Sequence, residues 1–332
     1  MSKDQKHTSK RRTLGWLSAL TAMTLTGSIS SAYAQTTLLT KGSLNSSLRI
    51  GYQKYGTLTL LKGTGALDKR LAALGVEVKW TEFPAGPVLL EGLNVGSIDF
   101  GTTGEAPPIF AQAAGADLVY VGNEPPAPSA EAILVPKNST LKTAADLKGK
   151  KIALNKGSNV HYLLVKVLEK AGIAYKDVNV VFLPPADARA AFERGSVDAW
   201  VIWDPFQAAA EKQLGARVLV DGKGIVSNHQ FYLASRAYTQ KKPEVLRIVL
   251  EELVKIDEWG GKNLKEVTAI LSAQIGLEPA IVDISTNRFS FGVRPLSEQV
   301  IKEQQNIADT FADLKLIPKK INIRDAVVGI KF

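Results

Sequence analysis

The chain has 332 residues, is 45% hydrophobic and 22% charged, and carries a formal net charge of +9 with no cysteine. That length suits two lobes better than one core, the composition excludes a disordered or fibrous chain, and the missing cysteines exclude a disulfide framework. After residue 35 no run of about eighteen uncharged apolar residues occurs, which excludes a membrane-spanning helix there.

The first predicted element is a targeting segment. "MSKDQKHTSKRR" is a basic leader, "TLGWLSALTAMTLTGSIS" a moderately apolar stretch and "AYA" (Ala32–Ala34) an A-x-A cleavage site. Residues 1–34 are therefore expected to be a signal peptide cleaved after Ala34, by the general export route rather than the twin-arginine route that Arg11-Arg12 hints at. Its removal takes away Lys3, Lys6, Lys10, Arg11, Arg12 and Asp4, so the formal charge falls from +9 to +5. With no cysteine to accept a lipid at the cleavage site, the mature chain is expected to be soluble in a Gram-negative periplasm. No dense Lys/Arg cluster interleaved with aromatics argues for nucleic acid, and the mild positive bias suits a small anion.

From "LRIGYQ" (48–53) onward, β-rich runs alternate with short helical patterns: a helix closing at Gly75, a strand at 76–83, the helix "GPVLLEGLNV", the strand "SIDFGTT", the helix "PIFAQAAG" and the strand "DLVYVGN". This is the signature of βαβ units in a mostly parallel sheet. Three prolines in "EPPAPS" (124–129) mark a linker. A second alternation follows, including "KIALN", the helix "NVHYLLVKVLEKAG", "VNVVFLP", "AWVIW" and "ARVLVDG". In its helix Val160, Leu163, Leu164, Val167, Leu168 and Ala171 form one apolar face. His161 is off that stripe, facing either solvent or a cleft. Near 228–238 the chain is expected to cross back, and helical patterns at 243–260, 264–276 and 297–314 are expected to pack on the first lobe.

"GSIDF" (96–100) returns as "GSVDA" (195–199), each copy after a helical run and before a strand ending at a carboxylate followed by or near proline. The shared context points to one βαβ element built into each of two α/β lobes around a cleft, with lobe I at 35–126 plus 231–332 and lobe II at 127–230. Open parallel sheets bind ligands beyond the carboxyl ends of their strands. The residues falling there are Gln53, then Thr102, Thr103, Gly104 and Glu105, then Gly157, Ser158 and Asn159, then Trp203 and Asp204. The turns "GTTGE" and "KGSN" open helices and are natural anion sites, although simple N-capping by Glu105 or Ser158 explains either one alone. No HExxH, G-x-S-x-G or dinucleotide loop is present, and no metal or cofactor is expected.

"GYQK", "FPAGPVLLEGLNVGSID", "GEAPPIFAQAAGADLVYVGNEPP", "DLKGKKIALNKGSNVH", "PADARAAFERGSVDAWVIWDP" and "IPKKINIRDAV" together closely resemble the aliphatic sulfonate-binding proteins, over nearly all of the mature chain. The resemblance implies a type II periplasmic binding protein whose two doubly wound lobes, joined by a two-stranded hinge, close on a ligand. It implies capture of alkanesulfonates for the permease and ATPase of an ABC importer, as a sulfur supply, by a monomer with no catalytic activity. Carried over, the anion contacts are Gln53, Thr103, Gly104, Ser158 and Asn159, with His161, Trp203 and Asp204 around the organic tail. One departure is Tyr55, where the family has a small residue after "GYQK". The alternatives are taurine, nitrate or another small anion on the same fold. An enzyme like the thiamine-pyrimidine synthases, which share the fold and use a Cys-rich segment, is disfavoured by the absence of cysteine. Affinity for a simple sulfonate is expected to be flat from about pH 7 to 9, with His161 the one nearby group able to titrate near that range.

Overall fold

Residues 46–332 are described by a computed structural model; the targeting segment, its cleavage after Ala34 and the polar leader lie outside the described residues. The first alternation is β1 (Ser46–Tyr52), α1 (Gly56–Thr64), α2 (Ala66–Ala72), β2 (Val76–Glu82), α3 (Gly86–Asn94), β3 (Phe100–Gly104), α4 (Ala106–Ala113) and β4 (Leu118–Asn123). The second is β5 (Glu131–Val135), β6 (Lys151–Leu154), α5 (Asn159–Lys170), β7 (Asn179–Phe182), α6 (Pro185–Glu193), β8 (Ala199–Trp203), α7 (Phe206–Leu214) and β9 (Arg217–Asp221). After β10 (Gln230–Ser235) come α8 (Arg236–Lys241), α9 (Pro243–Gly260), α10 (Leu264–Ile275), α11 (Pro279–Thr286) and α12 (Glu298–Asp313). Sequence periodicity joins α1 and α2 into one helix, whereas Gly65, at φ 63°, breaks them. It also passes over the short helices α8 and α11.

The strands form two sheets of the same plan, β2-β1-β3-β10-β4 and β7-β6-β8-β5-β9. In each, the first three strands are parallel, and the fourth runs antiparallel to both its neighbours. That reversed strand is the first one reached after a crossing: β5 after the β4–β5 connection, and β10 after the β9–β10 connection. The sheets are thus mostly parallel, with one reversed strand each.

The repeated G-S-x-D has a mechanical reason. Gly96 and Gly195 sit at φ 73° and 66°, a left-handed turn that stops α3 and α6 at little steric cost. The aspartates then pin the next strand to its neighbour. The Asp99 carboxylate accepts from the Arg49 amide at 2.9 Å, and the Asp198 carboxylate accepts from the Lys151 amide at 2.8 Å. Each aspartate's own amide donates back to the same residue's carbonyl. One such clamp registers β3 on β1, and the other registers β8 on β6.

The predicted apolar stripe of α5 is real: Val160, Leu163, Leu164, Val167 and Leu168 are buried in one cluster with Ile152, Trp200 and Ile202 of the second sheet. Against the first sheet, Leu48, Ile50, Phe100 and Tyr232 pack with Leu246, Val249 and Leu250 of α9. Each such aliphatic side chain contributes about 1.5–3 kcal/mol of burial. α12 packs on α4, so the C-terminal helices do cover the first lobe. α11 also reaches over to α7 beside the second sheet, where Ile281 packs against Ala208 and Ala209.

Candidate ligand site

Between the carboxyl ends of the two sheets lies a small cavity. Gln53, Tyr55, Gly86, Gly104 and Gln230 line it from the first sheet's side, and Ala130, Ser158, Asn159, Trp203 and Asn228 from the second sheet and the crossings. Of the residues picked from the sequence, Gln53, Gly104, Ser158, Asn159 and Trp203 share this wall.

Tyr55 is the N-cap of α1, Gly86 is the first residue of α3, and Asn159 is the first residue of α5. Three helix N-termini therefore meet at one cavity. Among the described residues, no side chain caps any of the three. Ser158, the N-cap of α5, turns its hydroxyl away and donates to the Asn155 carbonyl at 2.7 Å. The capping explanation that the sequence leaves open thus fails at Ser158. Among the described residues, the amides of Gly86, Asn159 and Val160 meet no acceptor. First-turn amides without partners, at the positive end of the helix dipole, form a cradle for an anion. No lysine or arginine among the described residues lines the cavity.

Asn159 serves by its backbone, because its side-chain nitrogen is already spent. Nδ2 donates to Glu131 Oε2 at 2.6 Å and to Asn228 Oδ1 at 2.8 Å, both buried. Gly104 faces it from β3 across the cleft. A Cβ placed on Gly104 would stand 2.8 Å from Asn159 Cγ and Oδ1, so only a glycine permits this approach.

The other sequence-selected residues stand behind the wall. Thr102 donates its hydroxyl to the Phe231 carbonyl, and Thr103 to the Gly104 carbonyl. Gly157, at φ 72°, donates its amide to His161 Nδ1. His161 is fully buried, contrary to the expectation that it faces solvent or the cleft. α4 and α12 cover that second face of α5, enclosing the ring among Phe110, Phe182 and Phe311. Its Nδ1 accepts from Gly157, its Nε2 meets the Tyr175 hydroxyl at 2.8 Å, and burial pushes its pKa down to about 4.

Glu105 and Asp204 are interior carboxyl groups. Glu105 accepts from the His229 amide at 3.0 Å and caps no helix with its side chain. Asp204 accepts from the Ala208 amide at 3.0 Å and meets Arg288 at 3.4 Å. Burial pushes Glu105 up to about 8, with Glu303 adding to the shift, and Glu131 well above the usual carboxylate range, with Glu105 adding there. It pushes Asp204 up to about 7 even though Arg288 opposes the shift. An anion cradle backed by buried acids of this kind prefers them protonated.

A second, larger cavity adjoins the first and shares Gln53, Tyr55 and Trp203 with it. Its remaining lining is Phe83, Pro84 and Phe206, with Lys54 and Glu82 at the rim, 3.7 Å apart. A polar cradle opening into an aromatic chamber suits a ligand with an anionic head and an organic tail. Tyr55, Gly86, Asn228 and Gln230 escape the strand-end reasoning. The "FPAGP" turn carried a signal that would have found Gly86: a Gly-Pro pair opening a helix directly after a strand.

Residues 72–255 match the family model described as NMT1/THI5 like. Over 282 residues the chain is 48% identical to an aliphatic sulfonates-binding protein of Escherichia coli (strain K12), covering 84% of this chain and 88% of that one. Among solved structures, it is similar to the alkanesulfonate-binding protein SsuA from Xanthomonas axonopodis pv. citri bound to MOPS, at 46% identity and a TM-score of 0.82, covering 85% of this chain and 98% of that one. The periplasmic aliphatic sulphonate binding protein SsuA from Escherichia coli matches at 46% identity and a TM-score of 0.78, over 86% and 92% of the two chains.

Proposed function

We propose, from the premise that this chain belongs to the aliphatic sulfonate-binding proteins of the NMT1/THI5-like family, that it captures alkanesulfonates and hands them to an ABC importer. Its fold is that of a type II periplasmic binding protein, and its role is binding rather than catalysis. The observation that carries the ligand reading is that, among the described residues, three uncapped helix N-termini meet at a cavity without a lysine or arginine. A sulfonate is permanently ionised and presents three acceptor oxygens and no donor. Backbone amides held at helix starts answer that pattern, and they need no buried counter-ion.

In this reading the amides of Gly86, Asn159 and Val160 hold the head, assisted by Gln53 and Tyr55. Trp203 walls the tail. Thr102, Thr103, Glu105, Gly157, His161 and Asp204 position those groups without touching the ligand. Nitrate fits the cradle but leaves the aromatic chamber empty, which favours an organic anion.

Capture follows from closure of the two lobes. The two connections, β4–β5 and β9–β10, are where a hinge would bend, which divides the mature chain into 35–126 with 231–332 and 127–230. A ligand touching both lobes favours the closed form because it gains contacts only there. The protein works as a periplasmic monomer, freed of residues 1–34, that docks on a permease with its ATPase. A thermal-shift panel of n-butanesulfonate, taurine, nitrate and acetate tests the ligand class, since a ligand that binds only the folded state raises its midpoint. The expected result is the largest rise with n-butanesulfonate. A rise with nitrate or acetate and none with either sulfonate would overturn the reading.

A further inference from the structure

Tyr55 belongs to both cavities. Its backbone is fixed tightly: its amide donates to the Gln53 carbonyl at 2.7 Å, and the Thr59 hydroxyl donates to its carbonyl at 2.9 Å. Gly56, at φ 75°, turns the chain directly after it into α1. The ring is fixed as well, packed edge-on against Phe289 with centroids 4.6 Å apart. Trp203, held at the end of β8 and packed edge-on with Phe206 at 6.2 Å, also lines both cavities. The passage from cradle to chamber is thus bounded by two anchored aromatic rings and Gln53, none of them free to swing aside at small cost.

Resting on the sulfonate reading above, we propose that Tyr55 is a specificity-determining residue. With Trp203 it makes a gate that admits an unbranched carbon linker between the anionic head and the rest of the ligand. The ligand class is then an anion on a primary carbon, whose bulk, if any, begins beyond the gate. Anions on a branched carbon bind more weakly, because the branch adds bulk where Tyr55 and Trp203 line both cavities. The chamber beyond tolerates variety: it is aromatic on its walls and ends at the exposed Lys54–Glu82 pair, so both alkyl and cyclic tails fit.

The test is calorimetric comparison of n-butanesulfonate with its isomer butane-2-sulfonate, which has the same charge and atom count but a branch beside sulfur. Wild-type protein is expected to prefer the linear isomer by about tenfold or more, the scale at which a pocket senses one misplaced methylene. Tyr55→Gly is expected to bring the ratio below about threefold, and Tyr55→Phe, which keeps the ring, to preserve it. Should Tyr55→Gly fail to fold, Trp203→Leu opens the other side of the gate and is expected to lower the same ratio. An undiscriminating wild type, or variants that keep the full ratio while binding n-butanesulfonate, would overturn the gate alone. Binding of neither isomer by the wild type, with another anion bound in its place, would overturn the sulfonate reading and the gate with it.

Discussion

Replacing Gly104 by alanine tests the cleft at its tightest point. Gly104 ends β3 with an ordinary strand backbone, so alanine costs nothing in φ and ψ. The added methyl, however, would lie 2.8 Å from Cγ and Oδ1 of Asn159 and 3.1 Å from its Cβ, on the facing lobe. Ordinary contact begins near 3.4 Å, so Asn159 must retreat by about 0.6 Å or the lobes must part. Retreat strains the hydrogen bonds to Glu131 and Asn228, at 2.6 and 2.8 Å, and moves the first turn of α5 off the cradle. Overpacking of this size costs about 1–3 kcal/mol, and 2 kcal/mol is about a 30-fold loss of affinity. Calorimetry with n-butanesulfonate should show that loss, while the ligand-free melting midpoint stays within about 2 °C, because each lobe's own core is untouched. An affinity within threefold of wild type would refute the reasoning. So would a large fall in the ligand-free midpoint, which would place the strain inside a lobe.

Two further predictions follow from the buried charges. Affinity for n-butanesulfonate should fall as pH rises from about 7 to 9, because Asp204, near 7, and Glu105, near 8, ionise behind the cradle and repel the anion; calorimetry across that range should show it, and Glu105→Gln should remove most of the decline above pH 7.5, whereas a flat wild-type curve would count against the assignment. Arg288 follows α11 and reaches Asp204 and, at 2.7 Å, Glu211 of α7, so it ties the C-terminal helices to the second lobe. Arg288→Ala strands the buried Asp204 carboxyl and should weaken binding about tenfold by disfavouring closure, and unchanged affinity by calorimetry would show that this tie is not part of the closed form.

The lobes were legible because their signals are local: alternation at strand and helix periods, and G-S-x-D in two matching contexts. Strand-end reasoning picked out five residues of the cavity wall, Gln53, Gly104, Ser158, Asn159 and Trp203, because a parallel sheet delivers those positions to one edge. It failed where a third layer decides. His161 lies off the apolar stripe of α5 as counted along the sequence, yet it is buried, because α12 arrives from more than a hundred residues away to cover that face. The buried acids that argue against a flat pH dependence were missed for a related reason. Glu131 opens a strand and reads as an ordinary polar start, and only the packing of α5 against it makes it a buried acid. Tyr55 was visible as a departure, but its role as a wall needs Phe289, which is remote in sequence.

In the proposed site, helix-start amides and not cationic side chains hold the ligand's charge. A crystal structure of the protein with n-butanesulfonate tests it most directly. Sulfonate oxygens are expected within hydrogen-bonding distance, about 2.7–3.2 Å, of the amides of Gly86, Asn159 and Val160, with the alkyl chain passing between Tyr55 and Trp203. A sulfonate seated instead on a lysine or arginine outside this cavity would contradict it.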